Sequence, residues 1–74
     1  MYIHLFTTTF HGLKTSVKYE TDRDFYLCEL ENGEDHFSIK QNDQGEWFEL
    51  MGGFTFLAEN LGRLVEEKME ERVL

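Results

Sequence analysis

Along residues 1–50 apolar and polar side chains alternate, with polar or glycine-bearing breaks at about ten-residue intervals, the pattern of half-buried strands. The breaks are His11-Gly12, Thr21-Asp22-Arg23-Asp24, Asn32-Gly33 and Asn42-Asp43-Gln44-Gly45. Asn32-Gly33 has the strongest turn chemistry, because a type I′ hairpin needs two residues that accept positive φ. Pairing residues across the breaks tests them. A two-residue loop at Asn32-Gly33 sets Cys28 opposite Phe37 and Tyr26 opposite Ile39. A four-residue loop at 21–24 sets Tyr19 opposite Tyr26 and Val17 opposite Cys28. A two-residue loop at His11-Gly12 sets Phe10 opposite Leu13, Phe6 opposite Val17 and His4 opposite Tyr19. All three turns produce one shared apolar face, and since a one-residue slip would flip a strand, the agreement predicts an antiparallel meander. The fifth strand, 46–50, has two readings. A four-residue loop turns Phe48 and Leu50 inward; a three-residue loop with a glycine bulge turns Trp47 inward.

From residue 54 to 73 the period changes. Leu57, Ala58, Leu61, Leu64, Val65, Met69 and Val73 recur at three- and four-residue spacing, opposite Glu59, Asn60, Arg63, Glu66, Glu67, Glu70 and Glu71. This predicts an amphipathic helix, with Thr55 as its N-cap after the break at Gly52-Gly53. Gly62 within it costs about 1 kcal/mol relative to alanine. It borders the apolar stripe, so a close approach to the sheet is the expected compensation. The expected fold is α+β: a single domain, 1–74, with a five-stranded antiparallel β-meander over 1–50 and one C-terminal α-helix over 54–73 packed on one sheet face.

Composition adds constraints. With 74 residues the chain holds one core, and it is too short for a dinucleotide fold or a barrel enzyme. Seven Phe, three Tyr and one Trp provide the material for that core. The single cysteine, Cys28, excludes an intramolecular disulfide framework and a cysteine-only zinc site. Apolar runs are short, so no membrane span is expected, and Met1 to Phe10 lacks the form of a signal peptide; the expected location is cytoplasmic.

The formal charge of −8 is unevenly spread. Residues 1–19 carry only Lys14 and Lys18, whereas residues 20–36 carry seven acids against Arg23. Direct nucleic-acid binding is not expected, because phosphate contacts require clustered Lys and Arg. The acidic stretch, Glu20, Asp22, Asp24, Glu29, Glu31, Glu34 and Asp35, is instead a candidate mimic of nucleic-acid charge. Its loop-borne oxygens also suggest a hard cation, but no EF-hand pattern is present.

Catalytic chemistry finds little footing. In the derived register His4 lies on the core face, His11 in a turn and His36 on the outer face, so they do not converge. Cys28 sits on the core face among acidic neighbours, the reverse of the setting a reactive thiolate needs. Neither a phosphate loop nor a paired-carboxylate site stands out, so no enzyme and no cofactor are expected. The register leaves Ile3, Leu5, Phe25 and Leu27 on the outer sheet face, ringed by His36 and Lys40 and joined by Trp47 in one reading of the last strand. Such a patch with a polar rim marks a protein contact. The first strand, free of formal charge and with neither lysine nor proline to guard its edge, offers pairing to another chain. The expected function is a non-enzymatic protein-interaction module acting through its sheet face or edge strand, as a homodimer or with another protein. Two alternatives stand beside it: an acidic nucleic-acid-mimicking inhibitor of the phage or mobile-element type, and a small ligand binder with a helix–sheet pocket.

Overall fold

A computed structural model of the chain describes residues 1–31, 33 and 35–73, the last three by their backbone alone. Five strands follow one another in a single sheet: β1 (Tyr2–Phe10), β2 (Leu13–Glu20), β3 (Phe25–Leu30), β4 (His36–Gln41) and β5 (Trp47–Glu49). Sheet order equals chain order and every pair is antiparallel. One helix, α1 (Phe56–Val73), closes the chain and lies against β4 and β5. The fold is α+β, a meander with one C-terminal helix, as the alternation and its change of period predicted.

The turns explain the register. His11 and Gly12 both have positive φ, 51° and 80°, which is the type I′ requirement, and Phe10 pairs with Leu13. Residues 21–24 form the four-residue loop, with Tyr19 opposite Tyr26 and Val17 opposite Cys28. Asn32 of the third turn lies outside the described residues, but Cys28 still faces Phe37 and Tyr26 faces Ile39. In the fourth turn Asn42 N–H donates to Glu46 O, and Asn42 Oδ1 accepts from the N–H groups of Gln44 and Glu46. That leaves a three-residue loop ending on Gly45 at φ 83°, and it turns Trp47 into the core.

Strand β1 departs from the expected register. A bulge between His4 and Phe6 sets Phe6 opposite Val17 but His4 opposite Lys18 and Ile3 opposite Tyr19. A regular strand would bury an imidazole and expose a leucine; the bulge does the reverse. His4 moves to the outer face, where its Nε2 lies 3.0 Å from Thr7 Oγ1, and Leu5 packs against the core. Ile3 shares the face of Tyr19, half-exposed at the sheet margin.

The core joins Phe10, Val17, Cys28, Ile39 and Trp47 of the sheet to Ala58, Leu61 and Val65 of the helix. Thr55 caps the helix: its Oγ1 accepts from Ala58 N–H at 3.1 Å and donates to Glu49 Oε2 at 2.5 Å. Gly62 lies directly on the Trp47 ring. A Cβ placed on it would come within 2.1 Å of the indole Cγ, so only glycine lets helix and sheet meet here. No helix among the described residues is long and apolar enough to cross a membrane.

Candidate docking groove beside the last strand

Several residues expected on the outer sheet face are elsewhere. Leu5 and Trp47 belong to the core and Ile3 lies on the helix side. Phe25 does occupy the outer face, paired with Glu20, but it is buried, with the Tyr2 ring edge-on to it at 6.2 Å. Leu27 and Lys40 are half-buried there and His36 is exposed. Lys18 bridges to Glu29 at 2.7 Å across the same face. Apolar side chains on this surface are therefore covered more than a docking patch requires.

The acids do not form one row. Asp22 and Asp24 sit in the β2–β3 turn, whereas Glu31 and Asp35 sit at the opposite end of β3, about 20 Å away at ~3.3 Å per residue. Glu34 lies outside the described residues. Glu20 is buried and occupied: the N-terminal ammonium stands 2.7 Å from its Oε1, and the Asp22 N–H donates to the same atom at 2.8 Å. These bonds, the ammonium's first, hold its carboxyl below the usual range. No group of three or more His, Cys, Asp or Glu with metal-binding geometry occurs among the described residues.

Tyr19 and Cys28 titrate far above their ordinary values. The Tyr19 hydroxyl donates to Asp24 Oδ1 at 2.5 Å, and this bond pushes its pKa up to about 12. Burial pushes the Cys28 thiol up to about 12 as well. Both values exceed those of the unfolded chain, so both contributions to stability are complete below about pH 9 and are lost as the pH rises toward 12. In an absorbance titration of the native protein Tyr19 ionises near pH 12, and Asp24→Asn brings it back toward 10. Cys28 stays unreactive to a thiol reagent at pH 8 until denaturant is added; rapid labelling of the native protein would contradict its burial.

Among the described residues exposed large apolar side chains fall in two groups, Met1 to Ile3 at the start of β1 and a larger one between β5 and α1. Met51 is 100% exposed, Phe56 83%, Phe54 67% and Leu50 41%. The local backbone explains this. Glu49 and Gly53 exchange N–H···O bonds of 2.8 and 2.9 Å, with Gly53 at φ 75°, and this tight loop holds Leu50 and Met51 out. The chain then returns with the Phe54 ring 5.8 Å from Phe48. Phe56 opens the helix on its polar stripe, in line with Glu59, Arg63 and Glu66, and so cannot reach the core.

Phe54 and Phe56 line an open groove of about 560 Å³, whereas Leu50 and Met51 lie outside its lining. Gly45, Glu46 and Trp47 form one wall, Phe54, Thr55 and Phe56 one end, and Glu59, Arg63 and Glu66 the helical wall. The Trp47 indole is fixed. Its Nε1–H donates to Glu66 Oε1 at 2.9 Å, Gln41 Nε2 donates to the same oxygen at 2.9 Å, and the Tyr26 ring meets the indole at 5.5 Å. Arg63 is paired with Glu59 at 2.7 Å.

No known protein family matches this chain, and no curated protein or solved structure matches it. The reading of the groove therefore rests on its own chemistry. It offers a held indole, two exposed phenylalanine rings and carboxylates on both walls.

Proposed function

We propose that this chain is a small non-enzymatic protein-interaction module, and that it docks a partner protein on the groove and its apolar border, Leu50, Met51, Phe54 and Phe56. The observation that carries this reading is the exposure of two phenylalanines and a methionine within six residues, beside a groove of fixed shape. Isolated exposed apolar residues are ordinary, whereas a contiguous group with a polar rim marks a contact. The proposal places the protein in the cytoplasm, where a lone thiol such as Cys28 stays reduced.

The test uses Phe54→Ser and Phe56→Ser together. Both side chains are exposed, and the loss of the Phe54–Phe48 ring contact costs about 0.5–1.5 kcal/mol, so the fold is kept. Partners captured by the wild type should be lost from the double variant and kept by Leu27→Thr on the outer face. Capture unchanged by the two serines sinks the proposal.

A second reading, homodimerisation through β1, is favoured by one observation: β1 is a terminal strand of the sheet and carries no formal charge. The bulge at Leu5 confines regular pairing to Phe6–Phe10. Light scattering at micromolar concentration decides it; a dimer abolished by Thr8→Pro supports strand pairing, and a monomer ends it. Charge mimicry draws less support, because its acids sit at opposite ends of the sheet. A ligand pocket between helix and sheet draws less too, because Trp47, Leu61 and Val65 fill that interface.

A further inference from the structure

We infer that the groove selects a cationic segment of its partner: an extended stretch in which Lys or Arg alternates with aliphatic residues. This rests on the docking reading above and names the chemistry of the occupant.

Three carboxylates line the groove, Glu46 on one wall and Glu59 and Glu66 on the other, against the single cation Arg63. Arg63 is held by Glu59, so the lining keeps a net negative charge, within a chain that is itself at −8. An acidic segment would meet repulsion at close range and from the whole molecule. A cationic one would be attracted in both respects, and such complementarity both speeds encounter and selects partners. Glu66 cannot swing away, because its Oε1 already receives the Trp47 and Gln41 donors. A guanidinium or ammonium brought to this wall therefore meets a positioned carboxylate.

The aromatic residues narrow the occupant further. Phe54 and Phe56 present ring surface that attracts a cation lying over it, and they also receive the methylene stem of Lys or Arg. Leu50 and Met51 continue the apolar surface past the groove, so a free inorganic or small organic cation would leave it uncovered. A peptide with aliphatic residues next to its charges covers both. β5 is the other terminal strand of the sheet; Gly53 already takes the outward backbone groups of Glu49, so an extended segment would meet this edge at Trp47.

The experiment is a titration of the full chain, followed by amide and indole N–H resonances, with three blocked hexapeptides. In these leucine alternates with arginine, with glutamine or with glutamate. The arginine peptide should shift the Trp47 indole and the backbones of Phe56, Glu59 and Glu66, and bind at least tenfold more tightly than the glutamine peptide. The glutamate peptide should not bind. Glu46→Gln should weaken the arginine peptide several-fold, whereas Asp22→Asn, which removes the same charge elsewhere, should leave affinity within twofold. Equal binding of the arginine and glutamine peptides at the groove overturns the cationic selection and leaves the docking reading standing. Shifts confined to residues 21–24 or 42–44, or an equal effect of Asp22→Asn, overturn it in favour of unspecific attraction. If no peptide shifts the groove, both readings fail.

Discussion

Replacing Gly62 by alanine lowers the stability of this protein, although alanine is the better helix former by about 1 kcal/mol. The added methyl would sit 2.1–2.4 Å from three atoms of the Trp47 ring, where carbon atoms normally keep about 3.5–4.0 Å. The indole is not free to give way. Its N–H is bonded to Glu66, Tyr26 stands against it, and it is buried. The helix must lift by more than an ångström or the ring must leave its place. Overpacking of this kind costs about 1–3 kcal/mol, and it outweighs the gain in propensity. In a domain of this size each kcal/mol moves the melting temperature by roughly 4–8 °C, so the change is readily seen by thermal or urea unfolding. A Gly62→Ala protein more stable than wild type would mean that the indole does not rest on residue 62. Trp47→Phe, with a smaller ring, should recover part of the loss when combined with Gly62→Ala but not by itself, a coupling that a double-mutant cycle reads directly.

Leu61→Ala has the largest effect we expect. Leu61 is fully buried, between the sheet and the helix axis, and its truncation costs about 2–5 kcal/mol through lost burial and the cavity left behind. Domains hold about 0.05–0.15 kcal/mol per residue, so the whole stability here is of order 4–11 kcal/mol. One substitution thus removes a large share of it. Asn60→Ala, one position earlier on the exposed face, should stay within about 0.5 kcal/mol of wild type. A matching loss at both positions would show that helix content, not burial against the sheet, sets the stability. The neighbours Leu61 and Gly62 make a pair of opposites. At one the sheet needs every carbon, and at the next it has no room for one.

Much of the architecture could be read from the chain because its determinants are local. His11-Gly12, the four residues from Thr21 and Asn32-Gly33 each imply a register by turn geometry, and the three registers agree on one apolar face, whereas the Asn42–Gly45 loop allows two. Thr55 and the stripe from Leu57 to Met69 fix the helix in the same way, and Gly62 on that stripe announced the close approach to the sheet. The bulge at Leu5 had no local signature. It follows from the competition between burying His4 and burying Leu5, which is settled only when β2 lies alongside. That single event moved Ile3 and Leu5 off the outer face, and Trp47 left it through the shorter of two allowed loops. The groove was missed for a different reason. Phe54 and Phe56 precede the apolar stripe that begins at Leu57 and belong to neither of its faces in the periodic pattern, yet Phe56 heads the polar stripe of Glu59, Arg63 and Glu66. A large aromatic residue in line with charges is the signal that points to this surface. The acids illustrate the limit of composition: seven lie close together in sequence, but the β3 strand carries the Asp22 and Asp24 turn and the Glu31 and Asp35 turn to two ends of the sheet.

The order of the elements also shapes how the molecule comes into being. Each strand pairs with the one made just before it, so the meander assembles from nearest neighbours, a topology that favours fast folding. The helix that covers the apolar face is made after all five strands. During synthesis, at about 5–20 residues per second, its 18 residues follow the completed sheet by roughly 1–4 s. Through that interval Val17, Cys28, Ile39 and Trp47 have no helix over them. The newborn chain is therefore vulnerable to aggregation until Leu61 and Val65 arrive to cover that face.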